Sequence, residues 1–220
     1  MTRSGPGDSY AGYRANLVES VRRKGVEDLA VLRAIGEVPR HLFVPPALLR
    51  SAYEDTSLPI GSGQTISQPS THARAIAALR LTGHEKVLEV GTGSGYQTAL
   101  LALCAMTVFS VERVPELATA ARSALAKAGI GNVSVLVGDG TLGWRAYEPY
   151  DAILVSAGSP DVPAPLIAQL APDGRLVIPI GNRQAQTLTL VTIAADGAVV
   201  RRPVADATFV PLKGTHGFHA

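Results

Sequence analysis

The run Val87-Leu88-Glu89-Val90 passes without a break into Gly91-Thr92-Gly93-Ser94-Gly95, and an apolar helical pattern begins at Tyr96. A short apolar strand, a glycine turn and a helix, in that order, admit few folds. Glycines let the backbone turn sharply and let a ligand lie against the main chain, with helix N–H groups aimed at it. The flanking sequence repeats the alternation. A helix is expected over 71–81, a strand over 86–90, a helix over 96–106 and a strand over 107–112. Pro115 suits the first turn of the next helix and Gly129 its end. Strands follow over 133–137, 152–155 and 175–179, with a short helix over 164–170. These strands are short and rich in β-branched residues, as parallel strands covered on both faces are. The pattern predicts a doubly wound, Rossmann-like α/β sheet.

The two ends break the rhythm. Residues 1–12 read as a flexible tail, and 13–35 as two helical pieces parted near Gly25 and stopped at Val38-Pro39. The stretch 58–69 is so rich in glycine, proline and small polar groups that no regular element is expected in it. Near the other end, strands over 187–193 and 198–204 flank Asp196-Gly197, a hairpin turn signal, and Thr208–Leu212 is expected to complete the sheet edge. The sheet is therefore mostly parallel with an antiparallel C-terminal end. The organisation expected is a tail at 1–12, an N-terminal helical and loop part at 13–80 and a core at 81–220, together one compact domain.

Charge excludes one class of partner. Twenty Lys and Arg against 18 Asp and Glu leave a net charge of +2, far from the concentrated basic excess of a nucleic-acid-binding domain. The single cysteine, Cys104, lies in an apolar run and reads as core filling, so no internal disulfide is expected. No apolar run follows the charge near Met1, and no stretch is long enough to span a bilayer. A cytoplasmic chain without membrane attachment, and a monomer, is the expectation.

Two acids sharpen the meaning of the glycine turn. Glu112 falls at the end of the second core strand, about twenty residues past the glycines, where a carboxylate accepts from both hydroxyls of a ribose. Asp139-Gly140 follows the third strand at the same edge, where an acid can take an adenine amino group and glycine leaves room for the ring. Tyr96 stands where the dinucleotide fingerprint has its last glycine. Close helix approach there serves a pyrophosphate, and a methionine tail does not need it. The set, with Glu89, Gly91, Thr92, Gly93 and Gly95, points to S-adenosylmethionine over a nicotinamide cofactor.

Four stretches together resemble the protein-L-isoaspartate O-methyltransferase family. They are Leu58 to Pro69, containing Gly-Gln-Thr-Ile-Ser-Gln-Pro; Val87 to Thr98; Gly138-Asp139-Gly140; and Phe209-Val210-Pro211-Leu212. The resemblance runs from about Val38 to Leu212, and the first stretch is its diagnostic part. It implies a methyltransferase core carrying a substrate loop, with Ser67 as the active-site residue and Thr65 and His72 bordering the cofactor. Ile66, Ser67 and Val210 would hold the acceptor, the α-carboxylate of an isoaspartyl residue in a flexible segment of a damaged protein. The sequence departs from the family at Ser156-Ala157-Gly158-Ser159-Pro160, where relatives often carry a string of alanines, and at Lys213.

The reaction fits what the sequence lacks. A carboxylate is already ionised at pH 7 and a sulfonium is already activated, so alignment matters more than a base. No Ser-His-Asp set, carboxylate dyad or metal cluster stands out. Two rivals remain: a relative that esterifies aspartate in a ribosomally made peptide, and a nucleic-acid amino-methyltransferase. The second usually shows an Asn/Asp-Pro-Pro-aromatic motif after the fourth strand, which 156–160 lacks.

Overall fold

The computed structural model describes residues 9–218. Most of the tail expected at 1–12 lies outside them, and helix α1 (Ala11–Arg23) already takes up its last two residues. Helix α2 (Leu29–Glu37) starts where Asp28 accepts from the N–H groups of Ala30 and Val31, and it buries Val31, Leu32, Ala34 and Ile35. Such a cap satisfies donors that the first helical turn leaves unpaired.

The glycine- and proline-rich stretch does hold regular structure. Strands β1 (Leu58–Gly61) and β2 (Gln64–Ile66) pair antiparallel as a separate ribbon. Its turn is Ser62-Gly63, both at positive φ (51° and 68°), which suits the right-handed twist of a tight hairpin. The residue types hide this, because serine seldom takes the left-handed conformation. Helix α3 (Pro69–Leu79) follows directly.

A seven-stranded sheet forms the core, in the order β5-β4-β3-β6-β7-β8-β9. Strands β3 (Lys86–Val90), β4 (Thr107–Glu112) and β5 (Val133–Val137) have the bounds that their apolar runs predict. β6 (Tyr150–Val155) and β7 (Leu170–Gly181) are longer than expected, so α6 (Ala164–Ile167) is correspondingly short. β3 to β7 run parallel, and β8 (Gln186–Ile193) and β9 (Val199–Ala207) close the sheet antiparallel. Alternate residues face two apolar layers. Val87, Val108, Leu154 and Val177 meet the helices α1 to α4, while Leu88, Phe109, Ile153 and Leu176 meet Leu166, Trp144 and Leu212.

Helix α4 (Tyr96–Cys104) stops before Met106 because the Asn132 side chain donates to the carbonyls of Ala102, Ala105 and Met106 and so closes its last turn. Helix α5 (Pro115–Lys127) follows β4. Cys104 is buried at the end of α4, and burial pushes its thiol up to about 11. The Thr208–Leu212 segment does not complete the sheet edge. It leaves the edge and crosses to the end of β6, where Gly158 N–H donates to Val210 O (2.9 Å) and Leu212 N–H donates to Gly158 O (2.7 Å). Polar neighbours settle this: Gln186 Oε1 accepts from Phe209 N–H and turns the chain inward. No helix among the described residues is long and apolar enough to cross a membrane.

Candidate active site

β3 has β4 on one side and β6 on the other, so the connections diverge at its carboxyl end. Open α/β sheets bind ligands in the crevice at such a point. A pocket lies there. Val90-Gly91 from β3, Glu112 from β4, Gly140 after β5 and Ser156 after β6 form its floor. Thr65, Ile66 and Ser67 from the hairpin, with Val210 to Lys213, form its roof.

Glu112 fastens this floor. Its Oε2 accepts from Gly93 N–H (2.8 Å) and its Oε1 from Val114 N–H (2.9 Å). Each oxygen keeps an acceptor position, so the carboxylate can still bind a diol. Gly140 must be small, since a Cβ there would lie 2.5 Å from Val90 Cγ1.

Three residues expected at the cofactor do not line the pocket. Gly95 (φ +88°) serves packing, for a Cβ there would sit 3.2 Å from Ala121 Cβ of α5. Glu89 is wholly buried beneath the glycine turn, accepting from Thr98 Oγ1 (2.5 Å) and Ser110 Oγ (2.6 Å). Asp139 accepts from Thr141 N–H and hydroxyl on Oδ1, and from Thr215 N–H and hydroxyl on Oδ2. With both lone pairs of each oxygen used, Asp139 anchors the C-terminal segment. These bonds hold it below the usual carboxylate range, although burial opposes them.

His72 is buried on the pocket wall, and its Nδ1 pairs with Gln97 Oε1. Gln97 Nε2 in turn donates to Ser156 Oγ (2.5 Å) and more weakly to Glu89 Oε1 (3.4 Å). Gln97 and Ser156 both line the pocket; the sequence marks Ser156 only as a departure from the family and gives Gln97 no role. Gln97 stands two residues past the last glycine of the turn, one helical position from the site, which was the available signal.

Burial shifts both ends of this network toward neutrality. It pulls His72 down to about 4, aided by the Arg40 charge, and raises Glu89 to about 7 against its three hydrogen bonds. Between roughly pH 4.5 and 6.5 the unfolded chain binds the His72 proton that the folded chain refuses, and lacks the Glu89 proton that the folded chain holds. The two effects on stability oppose each other across one window. In Glu89→Gln the histidine acts alone. Unfolding free energy should then fall more steeply than in wild type as pH drops from 6.5 toward 4, which denaturant melts at several pH values would read. Equal slopes in the two proteins would contradict the coupling.

The family model for protein-L-isoaspartate(D-aspartate) O-methyltransferase matches residues 13–217. The chain belongs to this family. A protein-L-isoaspartate O-methyltransferase of Methanoculleus marisnigri is 50% identical over 206 residues, 93% of each chain. That of Dictyoglomus thermophilum is 48% identical over 209 residues, 95% of this chain and 94% of the other. Among solved structures, a protein-L-isoaspartate O-methyltransferase superposes with a TM-score of 0.83 at 30% identity, covering 93% of this chain and 67% of the other. A Plasmodium falciparum structure named for the same activity, in complex with S-adenosyl-L-homocysteine, gives 0.77 at 27% identity over 91% and 98%.

This isoaspartyl methyltransferase has the donor set its cofactor, S-adenosylmethionine, requires. Glu112 suits the ribose diol, Val111 and Val114 offer an apolar wall to a flat base, and main chain is exposed at Gly91 and Gly93. Bound there, the cofactor supplies an electrophilic methyl group.

Proposed function

We propose that this methyltransferase esterifies the α-carboxylate of L-isoaspartyl residues where the cofactor pocket opens onto a second groove. The observation that carries this reading is the junction itself. Thr65, Ser67 and Val210 line the cofactor pocket and also the neighbouring groove of about 930 Å³. A groove of that size takes several residues of extended chain. Among the described residues Arg74 and Asp206 are the charged ones lining it, one of each sign. That favours a protein segment of unrestricted sequence and disfavours a nucleic acid, whose binding rests on phosphate neutralisation.

The chain's own residues then divide the work. Glu112 and the glycine turn hold the cofactor, with Thr92 and His72 behind them, and Thr65 and Ile66 cover it. Ser67 Oγ donates one neutral hydrogen bond to the acceptor carboxylate, which fixes its oxygen and displaces water without quenching its nucleophilicity. Val210, which lines the same junction, offers the acceptor an apolar surface. His72, held neutral to about pH 4, is not needed as a base. The pH–rate profile should accordingly stay flat above about pH 6, where the acceptor is ionised. A rise centred near pH 7 would count against alignment as the source of rate.

The 13–80 part (Thr65, Ile66, Ser67, Arg74) and the 81–220 core (Glu112, Asp206, Val210) of one domain together line the cofactor pocket and the acceptor groove. A cytoplasmic monomer fits this arrangement, since the site is built within one chain. The decisive assay compares two peptides differing only in isoaspartate against aspartate at one position. In isoaspartate the free carboxylate sits one carbon closer to the backbone, and about 1 Å of misplacement costs on the order of a hundredfold. The isoaspartyl peptide should be methylated at least that much faster. Comparable rates would instead indicate an enzyme that esterifies ordinary aspartate.

A further inference from the structure

Arg40 is completely buried, yet among the described residues no carboxylate lies within ion-pair distance of it. Its two terminal nitrogens are satisfied by main chain, while Nε is buried without a hydrogen-bond partner. Nη1 donates to the carbonyls of Ala52 (2.7 Å) and Glu54 (3.3 Å), and Nη2 to those of Thr56 (3.1 Å) and Ser67 (3.2 Å). The nearest acid, Asp55, is engaged by Lys24 Nζ (2.5 Å) and by Ser70 N–H (2.8 Å). The guanidinium carbon also lies 5.4 Å from the ring centroid of Tyr96, the first residue of the helix that follows the glycine turn. One side chain thus touches both the peptide unit of Ser67 and the start of the cofactor helix.

A buried cation without a counter-ion is expensive, and a tie between surface loops does not need one. What an arginine offers here is a flat, rigid fork with donors fixed in direction. Two nitrogens reach carbonyls on both sides of the β1–β2 hairpin, at 52–56 before it and at 67 after it. The hairpin is pinned at its base and the Ser67 carbonyl is fixed in space. The Ser67 hydroxyl is three bonds from its own carbonyl carbon, so its reach toward the acceptor is set by the same contact. On the far side, Tyr96 registers the fork against the helix that follows the glycine turn.

We propose that Arg40 is a positioning residue for methyl transfer: it sets Ser67 against the cofactor helix through main-chain hydrogen bonds and never touches substrate. This rests on the assignment of Ser67 to the acceptor.

The test is a pair of substitutions measured in two backgrounds. Arg40→Lys keeps the charge and loses the fork. It should lower kcat on an isoaspartyl peptide about tenfold or more, with peptide KM and S-adenosylhomocysteine affinity within about twofold of wild type and a normal melting transition. Placed in Ser67→Ala, the same change should have less than about a twofold effect, because nothing is left to align. Should Arg40→Lys not fold, Tyr96→Leu removes the ring from the fork's face and goes through the same comparison. An equal fold-loss in both backgrounds, or a loss that tracks S-adenosylhomocysteine affinity, would overturn the proposal and leave Arg40 a structural tie. Full activity in Ser67→Ala alone would instead overturn the acceptor assignment, a separate result.

Discussion

Ser67→Ala is expected to lower turnover on an isoaspartyl peptide roughly ten- to a thousandfold, the loss of one oriented hydrogen-bond donor. S-adenosylhomocysteine affinity should hardly change. The separation follows from placement: Ser67 lines both the cofactor pocket and the acceptor groove, while the contacts that hold the cofactor loop come from Glu112. Ser67→Thr should also be poor, because its extra methyl intrudes where the carboxylate must lie. Single-turnover methylation with saturating cofactor reads the effect directly. Full activity in the alanine variant would reduce Ser67 to a hydroxyl at the base of a hairpin.

Glu112→Ala should weaken S-adenosylhomocysteine binding by about 1.5–3 kcal/mol, the scale of a lost charge-assisted hydrogen bond to the ribose. The structure adds a second source of loss. The same carboxylate accepts from the N–H groups of Gly93 and Val114, so its removal leaves two main-chain donors to find water and loosens the glycine turn. Glu112→Gln is therefore no gentle substitute. Its amide nitrogen would face one of those N–H groups, donor against donor, and the variant should bind nearly as poorly as alanine. Calorimetric titration of the three proteins checks this. Wild-type affinity in Glu112→Gln would show that the loop does not depend on a carboxylate.

What was legible in the sequence is what local pattern encodes. Val87–Val90 and Thr107–Glu112 are buried strands, and Val133–Val137 the half-exposed edge strand beside them, because their apolar, β-branched runs have no other use, and the glycine turn marks the pocket floor. Where the outcome depended on partners far away, the sequence was silent. Asp139 stands in a motif that promises a cofactor contact, yet Thr215, 76 residues on, takes one of its oxygens. Nothing local marks Arg40, because its four acceptors are carbonyls, which every residue possesses. His72 could have faced solvent on α3, and only the approach of Gln97 from α4 shows that it is buried.

The path of the last strand-like segment bears on synthesis. Val210 to Lys213 roof the cofactor pocket, Leu212 fills the core layer beneath the sheet, and Thr215 locks onto Asp139. A nascent chain has every parallel strand outside the ribosome long before residue 213 leaves the exit tunnel. Until then the pocket has only the hairpin part of its roof, and an apolar gap lies under β6. The last of the site's walls is therefore also the last part of it to be synthesised.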